Sequence, residues 1–383
     1  MRNYQVISAD GHLEVPLDWS TRVPARYADK APKLVRNKDG TEVWVMDEWT
    51  RDNVGNLYCG LPYDKFTAAT APTYHFPDGS PRPGTGNAAQ RLREQDADGL
   101  DAEVLFPPVY GQGLMRKMIP KDPACYLAIV QAYNNFVAEF CALAPDRLIG
   151  VAMLPETGVA NAVDELVRCK QMGLRAAALS MWPNGKPDPL PEEDERFWAA
   201  ALDIDMKMTP HGSFGGPIKP YEGVSREGSV CASGALGWPC TGTIGRLMLY
   251  VFDKFPGLRF YFAETQGAWL AHALNWMDEF YLRWYRYHDI HLKKMPSQYY
   301  RDHCRFSFIH DRVVMQLRQF IDPALLMWGT DFPHSIGSYP DSRRVLDELF
   351  DGVPNEVRRQ VLVDNVCEFF DLDPKRELTP TPQ

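Results

Sequence analysis

Along this chain, short unbroken apolar runs bounded by Gly, Pro or Asp alternate with longer stretches of helical period. Runs of that length suit strands covered on both faces, whereas a 3.6-residue repeat suits helices with one face inward. The runs fall at the opening Val6-Ile7 stretch and at residues 101–107, 148–155, 176–180, 207–211, 258–264, 306–309 and 325–331. Helical period fills residues 87–99, 122–143, 159–172, 194–204, 241–255, 269–287 and 313–320. Asp122 is placed as an N-cap, and Gly173 as a C-terminal stop. Eight strands alternating with helices predict a parallel α/β barrel. A doubly wound open sheet would want a Gly-rich phosphate turn after its first strand, and Asp10-Gly11-His12 is not one.

Two stretches stand outside the alternation. Residues 17–86 are rich in Pro, Gly, Asp and aromatics and show only one strand-like alternation, at 41–46. This is the signature of an inserted N-terminal lobe that caps something. Its Trp44, Trp49, Tyr58, Tyr63 and Phe66 fit a pocket lining or a small local core, and the sequence leaves both open. Residues 212–239, dense in Gly and Ser, read as a long active-site loop. The whole chain, 1–383, is expected to be a single barrel domain carrying these two additions.

Composition removes several partner classes. With Lys+Arg 41 against Asp+Glu 50, the formal charge is -9, and no basic run exceeds Lys293-Lys294. A nucleic-acid surface needs clustered cations, so that class is excluded. No apolar stretch approaches a membrane span, and the N-terminus runs straight into a strand, leaving no room for a signal peptide. Eight cysteines are scattered without a CxxC pair, which fits reduced thiols. We expect a cytoplasmic protein with a small-molecule substrate.

The chemistry gathers at strand ends. Asp10, His12 and Glu14 alternate by two, so an extended backbone would aim them into one volume. His211 ends the fifth barrel strand, Glu264 the sixth and Asp331 the eighth. In a barrel these positions converge on the active-site mouth. Carboxylate and imidazole donors there suit a divalent metal, zinc or manganese above all, with a position left for water or substrate. His334, three residues beyond Asp331, is a candidate for the same pocket, while His310, at the end of the seventh strand, reads as a packing or surface residue with the mouth as the alternative. The remaining histidines, His75, His272, His288, His291 and His303, read as packing or surface residues.

Val6 to Pro16, Pro210-His211, Phe262-Ala263-Glu264-Thr265-Gln266-Gly267-Ala268-Trp269 and Trp328-Gly329-Thr330-Asp331-Phe332-Pro333-His334 together resemble the amidohydrolase superfamily. The match is to the amidohydrolase-related branch that includes aminocarboxymuconate semialdehyde decarboxylase and the resorcylate-type decarboxylases. That resemblance implies a distorted (β/α)8 TIM barrel, usually with one divalent metal, and usually a homodimer. By position, Asp10-x-His12 stands for the family's His-x-His or Glu-x-His pair, His211 for the strand-five ligand and Asp331 for the strand-eight carboxylate. Two departures follow from the same comparison. The usual strand-six histidine is Glu264 here, and Ala178-Leu179-Ser180 stands where a carbamate-forming lysine would.

Three functions remain in view. In the first, a metal held by Asp10, His12, His211 and Asp331 supports hydrolysis or decarboxylation of a small carboxylic or amide-type substrate, with Asp331 or Glu264 moving a proton. Trp182, Tyr221, Trp238 and Arg246 are candidate substrate contacts. In the second, Glu14 and Glu264 join the ligands and a dinuclear iron or manganese site activates oxygen. In the third, the barrel is an inactive subunit of a mixed oligomer, and the aromatic helix from Trp276 to Tyr287 is an interface.

Overall fold

A computed structural model describes residues 3–52, 59–60, 73–108, 113–216 and 240–382. Eight parallel strands form the central sheet in the order β1 (Ile7–His12), β5 (Ala102–Phe106), β6 (Leu148–Met153), β7 (Ala176–Ala178), β8 (Lys207–Met208), β9 (Phe260–Phe262), β10 (Cys304–Phe308) and β11 (Leu326–Trp328). β1, β5 and β6 are buried at every position, as a strand sandwiched between the barrel interior and a helical coat must be. The ring closes where the last strand meets the first. His12 N donates to the Phe332 carbonyl at 2.7 Å, and Asp331 N to the Asp10 carbonyl at 2.8 Å. The chain is therefore a (β/α)8 barrel.

Local chemistry explains the helices between strands. Helix α1 (Ala88–Asp98) starts where the Asn87 side chain accepts from Gln90 N, and it ends at Gly99, whose φ is 84°. The long helix α2 (Pro123–Cys141) starts where Asp122 accepts from Cys125 N, with Pro123 in the first turn. The predicted helix 313–320 forms only a succession of turns. Asp311 spends its carboxylate on the N–H groups of Gly267, Ala268, Val313 and Val314, and Val313 and Phe320 face solvent. Eight residues make a short helix whose nucleation is costly, and here Asp311 already caps the opening N–H groups of a turn. A helix Pro296–His303, absent from the sequence reading, precedes β10 instead.

The N-terminal lobe carries a second, antiparallel sheet of β2 (Lys33–Arg36), β3 (Glu42–Met46) and β4 (Trp49–Asp52). Trp44 at its centre is fully buried and donates to Tyr74 Oη at 2.9 Å, so that aromatic is local core. Tyr58, Tyr63 and Phe66 lie outside the described residues, as does most of the loop 212–239. No helix among the described residues is long and apolar enough to cross a membrane. The described cysteines are all free thiols.

Candidate metal centre

The rim at the C-terminal ends of β1, β8 and β11 brings four donors together. Asp10 and His12 close β1, His211 follows β8 through a bridge to Ala263, and Asp331 follows β11. His12 Nδ1 lies 3.3 Å from the Pro107 carbonyl, so a proton there leaves the Nε2 lone pair free. That Nε2 is 3.0 Å from His211 Nε2 and 3.2 Å from Asp331 Oδ1. Asp10 Oδ1 stands 3.3 Å from His211 Nε2 and 3.8 Å from His12 Nε2. Ligand bonds of about 2.1 Å put neighbouring donors roughly 3.0–3.4 Å apart, the spacing of three of these contacts, with Asp10 to His12 somewhat longer.

Asp10 supplies the test of whether a cation belongs in this arrangement. Both its carboxylate oxygens are buried and have no hydrogen-bond partner. A buried unpartnered carboxylate is expensive. A cation between Asp10, Asp331 and the two imidazoles offsets that cost, so the donor set fits a divalent ion.

Around the four donors runs a set of ionic contacts. His334 Nδ1 donates to Asp331 Oδ1 at 2.9 Å, its Nε2 faces Glu14 Oε1 at 3.4 Å, and its ring lies 4.0 Å from that of His12. Burial alone would hold the His334 imidazole neutral, but the carboxylates of Asp331 and Glu14 outweigh it and push its pKa up to about 10. Asp331 is buried too, yet His334 and His12 hold its carboxyl below the usual carboxylate range. His12 moves the other way, lowered by burial and by its cationic neighbour His334. His211 resists its own burial because Asp10 and Glu264 favour the charged ring. Glu264 is half-buried, with φ 55° and its N–H bonded to Ser307 Oγ at 2.9 Å. Its Oε2 lies 3.7 Å from His211 Nδ1, on the ring edge opposite the four donors. Burial, then repulsion from Asp331, lifts the Glu264 carboxyl to about 7.

Thus Asp10, His12, His211 and Asp331 share one centre, and Glu14 and Glu264 stand apart from it on either side. Glu14, His12 and His334 form a second cluster of potential donors, but both His334 nitrogens are directed at carboxylates. Among the other candidates, Trp182 is core, packed 4.9 Å from Phe214. Arg246 bonds the Gly216 carbonyl and Asp188. Tyr221 and Trp238 lie outside the described residues. His310 is exposed, His303 stacks on Phe252, and His75 pairs with Glu42.

One supporting pair escaped the sequence reading. Arg91 Nε donates to Glu103 Oε2 at 2.7 Å, both side chains almost fully buried, and Arg91 Nη2 reaches the Phe332 carbonyl at 3.2 Å. The pair braces the turn that carries Asp331. A Cβ on Gly11 would sit 2.8 Å from Glu103 Oε1 and 3.1 Å from Arg91 Nη2, so any larger residue there would have to displace the pair. The available signal was a lone acid, Glu103, inside the apolar run Ala102 to Phe106.

A cavity of about 330 Å³ opens on the centre, lined by His12, Phe106, Pro107, Arg116, Ser180 and His211 among others.

The amidohydrolase family model matches residues 75–372. The chain belongs to the amidohydrolase family. It is an enzyme of that superfamily, with a metal-binding constellation at its rim. Across 307 residues it is 24% identical to a 2-amino-3-carboxymuconate-6-semialdehyde decarboxylase of Dictyostelium discoideum, covering 75% of this chain and 77% of that protein. Over 276 residues it is 25% identical to a 2-keto-4-carboxy-3-hexenedioate hydratase of Sphingobium sp., covering 65% of this chain and 73% of that protein. The fold of this amidohydrolase is shared with 5-carboxyvanillate decarboxylase of Novosphingobium aromaticivorans, solved with bound manganese and 3-methoxy-4-hydroxy-5-nitrobenzoic acid. The TM-score is 0.59 at 16% identity, covering 74% of this chain and 80% of that one.

Proposed function

We propose that this amidohydrolase removes carbon dioxide from a small carboxylic acid, with one divalent ion held by Asp10, His12, His211 and Asp331. The observation that carries the reading is the buried, unpartnered Asp10 carboxylate facing two imidazole Nε2 atoms. Manganese is the ion we favour over zinc, because half of the donors are carboxylates and a decarboxylase of this fold was solved with manganese. Bound there, the ion would supply positive charge to the substrate's oxygen atoms.

The chain's own residues do the rest. His334 holds Asp331 in place and balances its charge, and Glu14 in turn holds His334. Phe106 and Pro107 wall the cavity and limit water around the reacting carbon. Loss of CO2 leaves an electron pair on carbon, and that carbon then takes a proton. Asp331 is committed to His12 and His334, so Glu264, half-buried beside His211, is the group we assign to deliver it. The dinuclear reading needs Glu14 and Glu264 within the donor set, and neither stands among the four.

Manganese-loaded protein should release CO2 from a panel of hydroxylated benzoates and unsaturated dicarboxylates. Chelation or Asp331→Ala should lower the rate by at least about a thousand-fold. A hydratase is the second reading, favoured by the Sphingobium relative. A product that gains water and keeps every carboxyl group would select it. For assembly we favour a homodimer through the exposed strip Trp276, Leu282, Trp284 and Tyr287; a monomeric sedimentation coefficient would refute that.

A further inference from the structure

Among the described residues lining the active-site cavity, Arg116 alone carries a permanent positive charge. It opens the short turn Arg116–Met118 beyond β5, and the chain brings it against Glu156, just beyond β6. Arg116 Nε lies 2.7 Å from Glu156 Oε2 and 2.9 Å from Oε1, and Nη2 lies 2.7 Å from Oε1. One edge of the guanidinium is therefore fully used. Among the described residues no acceptor meets Nη1, and the Arg116 side chain is 34% exposed while Glu156 is 10% exposed. The pair is thus anchored from beneath and open toward the cavity.

A guanidinium offers donors along more than one edge, and a planar carboxylate takes two of them side by side. Pinning by Glu156 fixes the plane of the fork before any ligand arrives, so little side-chain freedom is left to lose on binding. Glu156 also neutralises the fork in advance, so the free edge discriminates by hydrogen-bond geometry more than by bulk field. The metal cluster and this edge line one space on the order of 9 Å across if it is roughly spherical, near the lower end of small-molecule sites. A single-ring or short conjugated acid could touch both.

We propose that Arg116, held by Glu156, is a specificity-determining residue that binds a second carboxylate at the end of the substrate remote from the metal centre. The favoured substrates are then small dicarboxylic acids. This rests on the reading of the metal centre as the place where the first carboxylate binds.

Benzoate and isophthalate differ by one carboxylate on the same ring, and each can be titrated calorimetrically into the manganese-loaded full chain. The parent should bind isophthalate more tightly than benzoate, on the order of ten- to a hundred-fold, the range for a charge-assisted pair. Arg116→Gln should bring isophthalate down to the level of benzoate while leaving benzoate unchanged. Arg116→Lys keeps the charge against Glu156 without the fork and should fall between. Equal affinities in the parent, or an isophthalate advantage that survives Arg116→Gln, would overturn the proposal, and so would a parallel loss of both affinities, which marks a purely structural brace. The metal-centre reading fails by a different sign: benzoate binding that is indifferent to chelation.

Discussion

Neither oxygen of Asp10 has a hydrogen-bond partner, so in the folded chain without an ion its buried charge is answered chiefly by the His211 ring 3.3 Å away. Asp10→Asn keeps the shape and removes that charge. Elemental analysis should show metal falling from about one ion per chain to below about a tenth, while the metal-free variant melts no lower than the metal-free parent. Stoichiometric metal in the variant would remove Asp10 from the ligand set. Glu264 gives a pH signature. Its ordinary value of 4.5 rises to about 7 in the fold, so between those values the folded chain keeps a proton that the unfolded chain has lost. The stability it contributes is full below about 4.5 and is lost as pH climbs through about 7. Glu264→Gln cannot titrate. Without metal, the stability of the parent relative to Glu264→Gln should drop by on the order of 1–2 kcal/mol from about pH 5 to about pH 7.5, less than the whole shift because the side chain is partly solvated. A pH-independent difference between the two proteins would mean that Glu264 is ionised throughout. The four donors were legible because alternation and strand ends are local features. The company of His334 was legible only as proximity in sequence, since its contact with Glu14 spans the whole barrel.

At the scale of elements, the seam between β1 and β11 governs the site. A Cβ on Gly329 would meet Asp10 Cβ at 2.4 Å and Asp10 N at 2.8 Å, so the last strand can approach the first only as glycine. Gly329→Ala should cost about 2–3 kcal/mol in denaturant unfolding and weaken metal binding with it, because Asp10 is the atom group displaced. Arg91→Met leaves the Glu103 carboxylate buried without its cation, with Gln95 Nε2 still donating to it at 2.9 Å, and should cost about 3–5 kcal/mol by the same measurement, whereas replacing both members of the ion pair together should cost less. An Arg91→Met cost below about 1 kcal/mol would show that water or a neighbour satisfies Glu103. The barrel strands were readable because double-sided burial writes itself as an apolar run, although β7, β8, β9 and β11 are each only two or three residues long in the fold. The small sheet was half readable. Only β3 alternates inside and out, while β2 is mostly exposed and paired by a register that no local pattern encodes. The Arg91–Glu103 pair was invisible for the same reason, since nothing in a helix names its partner on the next strand.

For the whole molecule, metal binding and folding are one equilibrium, because the donors lie on three separated parts of the chain. Removing the ion with a chelator should lower the melting temperature by on the order of 5 °C or more, recovered by adding manganese back. Unchanged melting would mean that the ion does not bind the folded chain more tightly than the unfolded one. Negative formal charge over the chain adds to the attraction for cations at distance but does not select among them. The closure of the ring has a consequence in time. Residues 10, 12 and 211 are synthesised well before residue 331, and β1 keeps one unpaired edge until Thr330, Asp331 and Phe332 arrive to bond Asp10 and His12. A nascent polypeptide can gather three of the four donors and still lack the fourth, so the full donor set exists only once the last strand has closed the ring.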